Sequence, residues 1–521
     1  MPGKKAPGSL QDLAMKSIRR VVLTMGQHVI HSVADTPHET SEAGTILLQS
    51  SLERLNEALF GNVPWYLFDK LSQVVLETVN ELIVETRAYF DHCLPISIFV
   101  ARMNVVVRMT LVAIHPQLKS IDFSAWPKVM RNILYQNLYK MTGLEVLNLG
   151  SGSGGWETSD IEKSILSGVV QMKHLVSLCL CFDCTDHILS VVGQNCTMLQ
   201  KLDVTSSRSV TDRSVPSLLN CMKLKQLLLY RTSVTVEGYA ILLSSLPQLE
   251  DLGRCDEFGH ILERIRGSSK FQGPFKLRYL QSRDVTTSHL YLLIEMCPYV
   301  THVSIFHDER ISDLNVLSHL QQLTELKLLS CDFFSDNIKS LLEVKGSNLT
   351  WLHLEHVEEI DLNALIYISQ FCPVLKKLVL YNCEFMDHSS LSLRTLQIPP
   401  FRHLEKVTCI ADCAQAHLEF LLSNCFNIRF IQLGSSTGIG DAIMAKVLAV
   451  NPMKKLEELR ILYSDDLSMH TVALLMTHCE NLRVLSELES WAGISKRELA
   501  AFRTEILEKN IDLDIRPTLS Y

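Results

Sequence analysis

Two stretches of this 521-residue chain carry side chains at spacings that could do chemistry. The first is Leu144–Gly155, LEVLNLGSGSGG, where Gly150, Gly152 and Gly155 form a G-x-G-x-x-G pattern between a strand-like and a helix-like run. Glycines so placed let backbone come close to a nucleotide phosphate or ribose. The acidic residue expected about 20 residues on, at the end of the next strand, is missing. That strand ends near Phe182 and Asp183, and Asn148 stands where a carboxylate would precede the loop. The stretch reads as a glycine-rich loop without a cofactor. The second is Cys179, Cys181 and Cys184, with His174 and His187 nearby. Structural zinc sites show paired C-x-x-C ligands or a regular Cys/His set. A single C-x-x-C in a strand and the turn after it reads as structural thiols, so no metal is expected. No Ser/His/Asp or Cys/His catalytic arrangement is recoverable, and the chain is not expected to be an enzyme.

The element that positions these residues is a repeat. Leu118, Ile121 and Phe123 form an L-x-x-L-x-L frame. It returns as LEVLNL at Leu144, LVSLCL at Leu175, LQKLDV at Leu199 and LKQLLL at Leu224, and onward to LRVLSE at Leu482. About fifteen frames at a mean spacing of roughly 26 residues fall in the leucine-rich-repeat range. The frame at Leu249, LEDLGR, is the poorest. First, fourth and sixth frame residues point inward from a short strand, and the intervening ones face solvent. One such unit cannot bury its apolar face, but stacked units share a core. The expected fold is therefore α/β: a leucine-rich-repeat solenoid, one curved parallel sheet with helices on the convex side, behind an N-terminal α-helical region. Between frames, Thr211-Asp212, Ser312-Asp313, Ser335-Asp336 and Gly440-Asp441 predict helix starts, with Asp accepting from free N–H groups of the following helix.

Cysteines follow the same register. Cys196, Cys221, Cys297, Cys372, Cys425 and Cys479 sit three residues before a frame, and Cys331 and Cys383 three after a frame's last leucine. Buried thiols behave as small hydrophobes, and reduced thiols predict a cytoplasmic or nuclear setting. This spacing resembles the cysteine-containing leucine-rich repeats of substrate receptors in cullin–RING ubiquitin ligases. The resemblance covers 118–488 and implies an adaptor-binding N-terminal region.

The net charge of −8 argues against a general nucleic-acid binder, which needs a basic face. Leu94–Ile114 is mostly apolar, but Arg102, Asn104 and Arg108 interrupt it. A helix packed on the solenoid is expected there rather than a membrane span. Residues 1–8 read as a flexible tail, 9–114 as a helical region, 115–488 as the solenoid and 489–521 as a C-terminal cap. Helices are expected over 9–31, 45–59 and 63–85, with Pro64 in the first turn of the third. Leu252–Lys276 departs from the repeat, and a loop or displaced helix is expected there.

Within the helical region, Ser9–Ile18 resembles an Elongin-binding box: Ser9, Leu10 and Ile18 match, Leu13 lies on the same face, and Ala14 stands where the family has Cys. Val63–Leu71 resembles the cullin-selecting box through Val63, Pro64, Leu67 and Leu71. It also resembles the start of an F-box, where Leu-Pro opens a helix that docks the SCF adaptor, although no Trp-containing helix of that kind follows. Partners implied by the resemblance are Elongin B/C with a cullin, or the SCF adaptor. On the concave face the third, fifth and seventh frame positions bring out Tyr230, Tyr279, Gln281, Arg283, His302, Phe306, Trp351, His353, Glu355, Lys377 and Tyr381. Solvent-facing aromatics with Arg and His have the composition of interface hot spots. Two readings follow: a ubiquitin-ligase substrate receptor, or an interaction scaffold whose helical region caps the solenoid.

Overall fold

The computed structural model describes the chain except residues 1, 7, 35–41, 62, 91–94, 152–157, 269–272, 307–310, 335–337, 387–400, 414 and 519–521. Gly152 and Gly155 of the glycine loop, and the Ser335-Asp336 helix start, lie outside the described residues. The chain forms two compact units, Gly8–Arg254 and Cys255–Tyr521 with Met1–Pro7. The boundary falls at the poorest frame, LEDLGR, where Gly253 takes a left-handed φ of 61° that only glycine adopts freely.

The first unit opens with helices α1 (Leu10–Ala34), α2 (Glu42–Phe60), α3 (Phe68–Phe90) and α4 (Ile96–Arg108). Helix α3 is the centre of this bundle, burying Leu71, Val75, Leu76, Val79, Leu82 and Ile83. Helix α1 crosses it at Gly26, where a Cβ would stand 2.7 Å from a Leu82 methyl. Arg19 pairs with Glu81 at 2.8 Å beside that crossing. Pro64, expected in the first turn of α3, lies outside that helix. It precedes a separate 3-10 turn, Trp65–Leu67, and the α-helix begins at Phe68.

The apolar 94–114 stretch becomes α4 and a 3-10 turn, Met109–Ala113. By length and composition Ile96–Ala113 could cross a membrane. Its second half, with Val105, Val106, Met109 and Val112, is buried, and the stretch packs against α1 and α3. Within the bundle Ser72 Oγ donates to the Ala113 carbonyl at 2.8 Å, and the Asp69 carboxylate ties the bundle to the first repeat by accepting from Lys119 N–H at 2.9 Å.

Six frames then give parallel strands β1 (Ser120–Asp122), β2 (Val146–Gly150), β3 (Ser177–Leu180), β4 (Lys201–Asp203), β5 (Gln226–Leu228) and β6 (Asp251–Arg254), in sequence order. The second unit continues the same pattern with nine parallel strands from Tyr279–Ser282 to Val484–Ser486, also in sequence order. Every frame becomes a strand, and its first residue is buried each time, from Leu118 to Leu482. The irregular 252–276 stretch holds a helix, Phe258–Arg266.

Helix starts follow a rule the sequence showed only in part. Thr185, Thr235, Thr286 and Ser468 cap their helices through the side-chain oxygen. The aspartates expected to cap, Asp212 and Asp441, reach sideways instead. Asp212 accepts from Thr235 N–H (2.8 Å) and Oγ1 (2.7 Å) of the next repeat. Asp441 accepts from Ser468 N–H (3.0 Å) and Thr471 Oγ1 (2.6 Å), and Asp186 does the same to Thr211. Each carboxylate thus buttresses its neighbour's cap. Asp313 caps as expected, accepting from Asn315 N–H at 2.8 Å.

Cys196, Cys221, Cys297, Cys372, Cys425 and Cys479 are buried, with no disulfide among the described residues. Burial raises each thiol: Cys221 to about 11, and Cys196, Cys372 and Cys479 to about 12. The C-terminal cap is a helix, Lys496–Glu508, opened by a Ser495/Glu498 capping box, followed by Ile511–Ile515 beside the last repeat strand. Within the stretch expected as a flexible tail, Gly3 and Lys5 are paired by backbone hydrogen bonds. Lys5 N–H donates to the Asn510 carbonyl at 2.9 Å and Asp512 N–H to the Gly3 carbonyl at 2.8 Å. The N-terminal residues thus pair with backbone groups of the closing segment.

Candidate partner-binding surfaces

Helix α1 is anchored through its second half, where Val22, Gly26, Val29 and Ile30 are buried. Its first turns project an apolar stripe: Leu10 is 88% exposed and Leu13 49%, with Ala14 exposed and Ile18 half-buried. Ser9 starts the helix, its Oγ accepting from Asp12 N–H at 3.1 Å while its own N–H donates to the Asp12 carboxylate. The Ser9 hydroxyl, which donates to the Asp12 carboxylate at 2.7 Å, and the Ser9 N–H hold the Asp12 carboxyl below the usual carboxylate range. The Ser9–Ile18 face is therefore structured and open to solvent.

The second box is divided. Val63 and Leu67 are half-buried and Pro64 is exposed, but Leu71 is fully buried in the bundle. Beside Pro64, Trp65 (59% exposed) and Tyr66 (66%) stand out, their rings edge to face at 6.3 Å. Trp65 also walls an open groove with Gln117, Lys119, Lys173 and His174. The apolar box spacing of Val63, Pro64, Leu67 and Leu71 points to a helix, whereas Trp65 and Tyr66 stand in the 3-10 turn before it. Exposed Ile46 and Leu47 on α2, and Ile96 and Val100 on α4, were likewise not singled out.

In the second unit the open sheet face is a set of cross-strand rows. One row runs Tyr279, His302, Glu325, Trp351, Lys377, Lys406, Phe430, and the next runs Gln281, Ser304, Lys327, His353. Tyr279 stacks on His302 at 4.2 Å, and His302 pairs with Glu325 at 2.9 Å. Lys377 lies over Trp351 at 5.4 Å, and Lys327 pairs with Glu355 at 2.6 Å. Burial, with Lys327 adding to it, lowers His353 to about 4, so the ring is neutral at physiological pH. Burial works to raise Glu355, but the Lys327 hydrogen bond and charge outweigh it and hold the carboxylate low.

Two polar atoms at the middle of these rows find no hydrogen-bond partner among the described residues: the Trp351 indole N–H and His353 Nε2. His353 Nε2 lies 3.3 Å from Glu355 without hydrogen-bond alignment. Of the other residues expected on this face, Tyr279, Arg283, Lys377 and Tyr381 are exposed and Phe306 is half-buried. In the first unit, Tyr230 is covered by the Arg254 guanidinium at 4.5 Å and by Arg231 at 5.3 Å. Lys327, Lys406 and Phe430 occupy the same face and were missed. Their third and fifth frame positions place them there.

Cys184 and His187, two of the donors that a zinc site would draw on, are engaged elsewhere. His187 faces Glu162 at 3.7 Å, and Cys184 is buried with its sulfur on the Thr185 carbonyl. A second donor group, His260, Glu263 and His289, is explained as a tie between adjacent helices. His289 Nδ1 accepts from Thr286 N–H at 3.3 Å, which puts the neutral ring's proton on Nε2, facing Glu263 at 3.1 Å. Gly150 of the glycine loop closes β2 at a φ of 60°, and a Cβ there would stand 2.7 Å from Ser124 Cβ. The turn needs that glycine without any ligand.

These features define an α/β leucine-rich-repeat protein with an N-terminal helical region. No protein-family model matches the chain. It is 28% identical over 130 residues to the F-box protein SKIP1 of Arabidopsis thaliana, a match covering 25% of this chain and 41% of that relative. Among solved structures, the yeast Rad7–Elc1 complex aligns at 11% identity over 89% of this chain and 95% of that one, with a TM-score of 0.44. An internalin (inlF) of Listeria monocytogenes aligns at 15% identity over 68% and 83%, with a TM-score of 0.35.

Proposed function

We propose that this chain is the substrate-recognition subunit of a cullin–RING ubiquitin ligase. The N-terminal helices dock an adaptor, the open sheet face holds a protein substrate, and the chain supplies no catalytic residue. The observation that carries the reading is the Ser9–Ile18 face: a capped helix, anchored at its far end, that leaves Leu10 and Leu13 in solvent. An apolar helix face of this kind is what an adaptor groove receives. The partial match to an F-box protein supports an adaptor-linked role.

Two adaptors fit different surfaces. Elongin B/C fits the Ser9–Ile18 stripe. The SCF adaptor fits the Pro64–Trp65–Tyr66 turn, which the F-box relative and the two exposed aromatics favour. The buried Leu71 removes one of the four positions that would contact a cullin. The setting implied is cytoplasmic or nuclear. Co-purification of the tagged full chain from cells decides the matter. Recovery of either adaptor with a cullin supports the ligase reading, and recovery of neither leaves the interaction scaffold.

A further inference from the structure

Twelve of the fourteen described cysteines are buried; Cys179 and Cys181 are the two that are not. Cys179 lies in β3 and Cys181 two residues on, so both face the same side of the sheet. Strand β4 brings Asp203 into register beside Cys179. The two sulfurs are 3.7 Å apart, and Cys179 Sγ is 4.0 Å from Asp203 Oδ2. All three donor atoms lie within 4.8 Å of one another. Two thiolates each about 2.3 Å from one tetrahedral ion stand about 3.8 Å apart, so the sulfurs already hold the spacing a shared ion needs.

We propose that Cys179, Cys181 and Asp203 form a binding site for a soft divalent cation of the zinc class, with the fourth position left to solvent or a partner's side chain. This set is distinct from the sequence motif, since Cys184 and both histidines drop out and a carboxylate from the next repeat enters. The backbone preorganises it. Cys181 N–H donates to the Gly150 carbonyl at 3.1 Å and Phe182 N–H to the Thr205 carbonyl at 3.0 Å. Asp203 Oδ1 accepts from Thr205 N–H at 3.0 Å, which orients Oδ2 toward the thiols.

Burial, with the Asp203 charge, raises Cys181 to about 12 and raises Cys179 as well.

The test is a titration of the reduced full-length chain with Cd2+, following the ultraviolet thiolate-to-metal charge-transfer band, with bound metal counted after gel filtration. A saturable band at one ion per chain is expected, abolished by Cys179→Ser and by Cys181→Ser. Asp203→Asn should weaken affinity at least about tenfold, and the buried-thiol variant Cys221→Ser should retain the band. Circular dichroism confirms that each variant is folded. A reduced chain that shows no band, or a band that survives in the Cys179→Ser/Cys181→Ser double variant, overturns the proposal.

Discussion

At the scale of single residues, burial decides which thiols a reagent can reach. Cys179 and Cys181 are half-buried and held protonated, so a bulky thiol reagent should label them only slowly in the native protein. Cys196, Cys221, Cys297, Cys372, Cys425 and Cys479 should react only after unfolding, because they are buried and their thiols are held protonated. Peptide mass mapping of a timed reaction reads this directly, and rapid native labelling of the buried set would contradict it. Gly259 is the second sensitive residue. A Cβ there would stand 2.1 Å from Nδ1 of the His289 ring, which is buried and hydrogen-bonded on both nitrogens. Gly259→Ala should cost about 1–3 kcal/mol. In a denaturation cycle with His289→Ala the two losses should fall short of additive, since removing the ring removes the clash.

At the scale of elements, the Asp186, Asp212 and Asp441 links make each helix start depend on the next repeat. Burial works to raise Asp186 and Asp441, but the hydroxyl and N–H donors of the neighbouring cap outweigh it and lower both. A carboxyl lowered in the folded state contributes stability that is present above its unfolded value, near 3.9. That stability is lost as pH falls through the folded value. Urea midpoints should therefore drop as pH falls below about 4. Asp441→Asn should cost about 1 kcal/mol at neutral pH, allowing for solvent screening, and almost nothing at the acid end. An equal loss at both ends would show that the links are not charge-dependent.

The elements were unevenly legible in the sequence. Strands could be placed because each frame repeats the same inward leucines, and burial of those leucines is what fixes a strand's register. Helix starts were half legible. Thr and Asp at a helix start are both good caps, and only the neighbouring repeat decides which one caps and which one buttresses. The pairing of Gly3 and Lys5 with the closing segment was not legible, since it uses backbone groups that any residue carries. Trp65 and Tyr66 were visible as letters, but their exposure depends on the turn that separates them from α3. The Cys179–Asp203 proximity was hidden for a related reason: strand pairing brings together residues 24 positions apart.

At the scale of the whole molecule, one unit carries an apolar face on α1 and the other a sheet face with two unsatisfied polar atoms among the described residues. Ordinary repeat packing explains the strands and the buried thiols, but it gives no reason for Leu10 to stay in water. On the sheet face, Trp351→Ala should weaken capture of a substrate protein by at least about tenfold without lowering the melting temperature much, since the ring is only partly buried.

The most direct measurement is the affinity of purified adaptor, Elongin B/C or the SCF adaptor, for the full chain and its Leu10→Ser variant, alongside a thermal melt of both. Loss of one exposed leucine from an adaptor pocket should cost about 2–3 kcal/mol, a weakening of roughly 30- to 150-fold for Elongin B/C. The melting temperature should not move, because Leu10 contributes nothing to the folded core at 88% exposure. Trp65→Ala is the matching change for the SCF adaptor. Adaptor affinity unaltered by both changes, or no measurable binding of either adaptor to the unmodified chain, would contradict the ligase account.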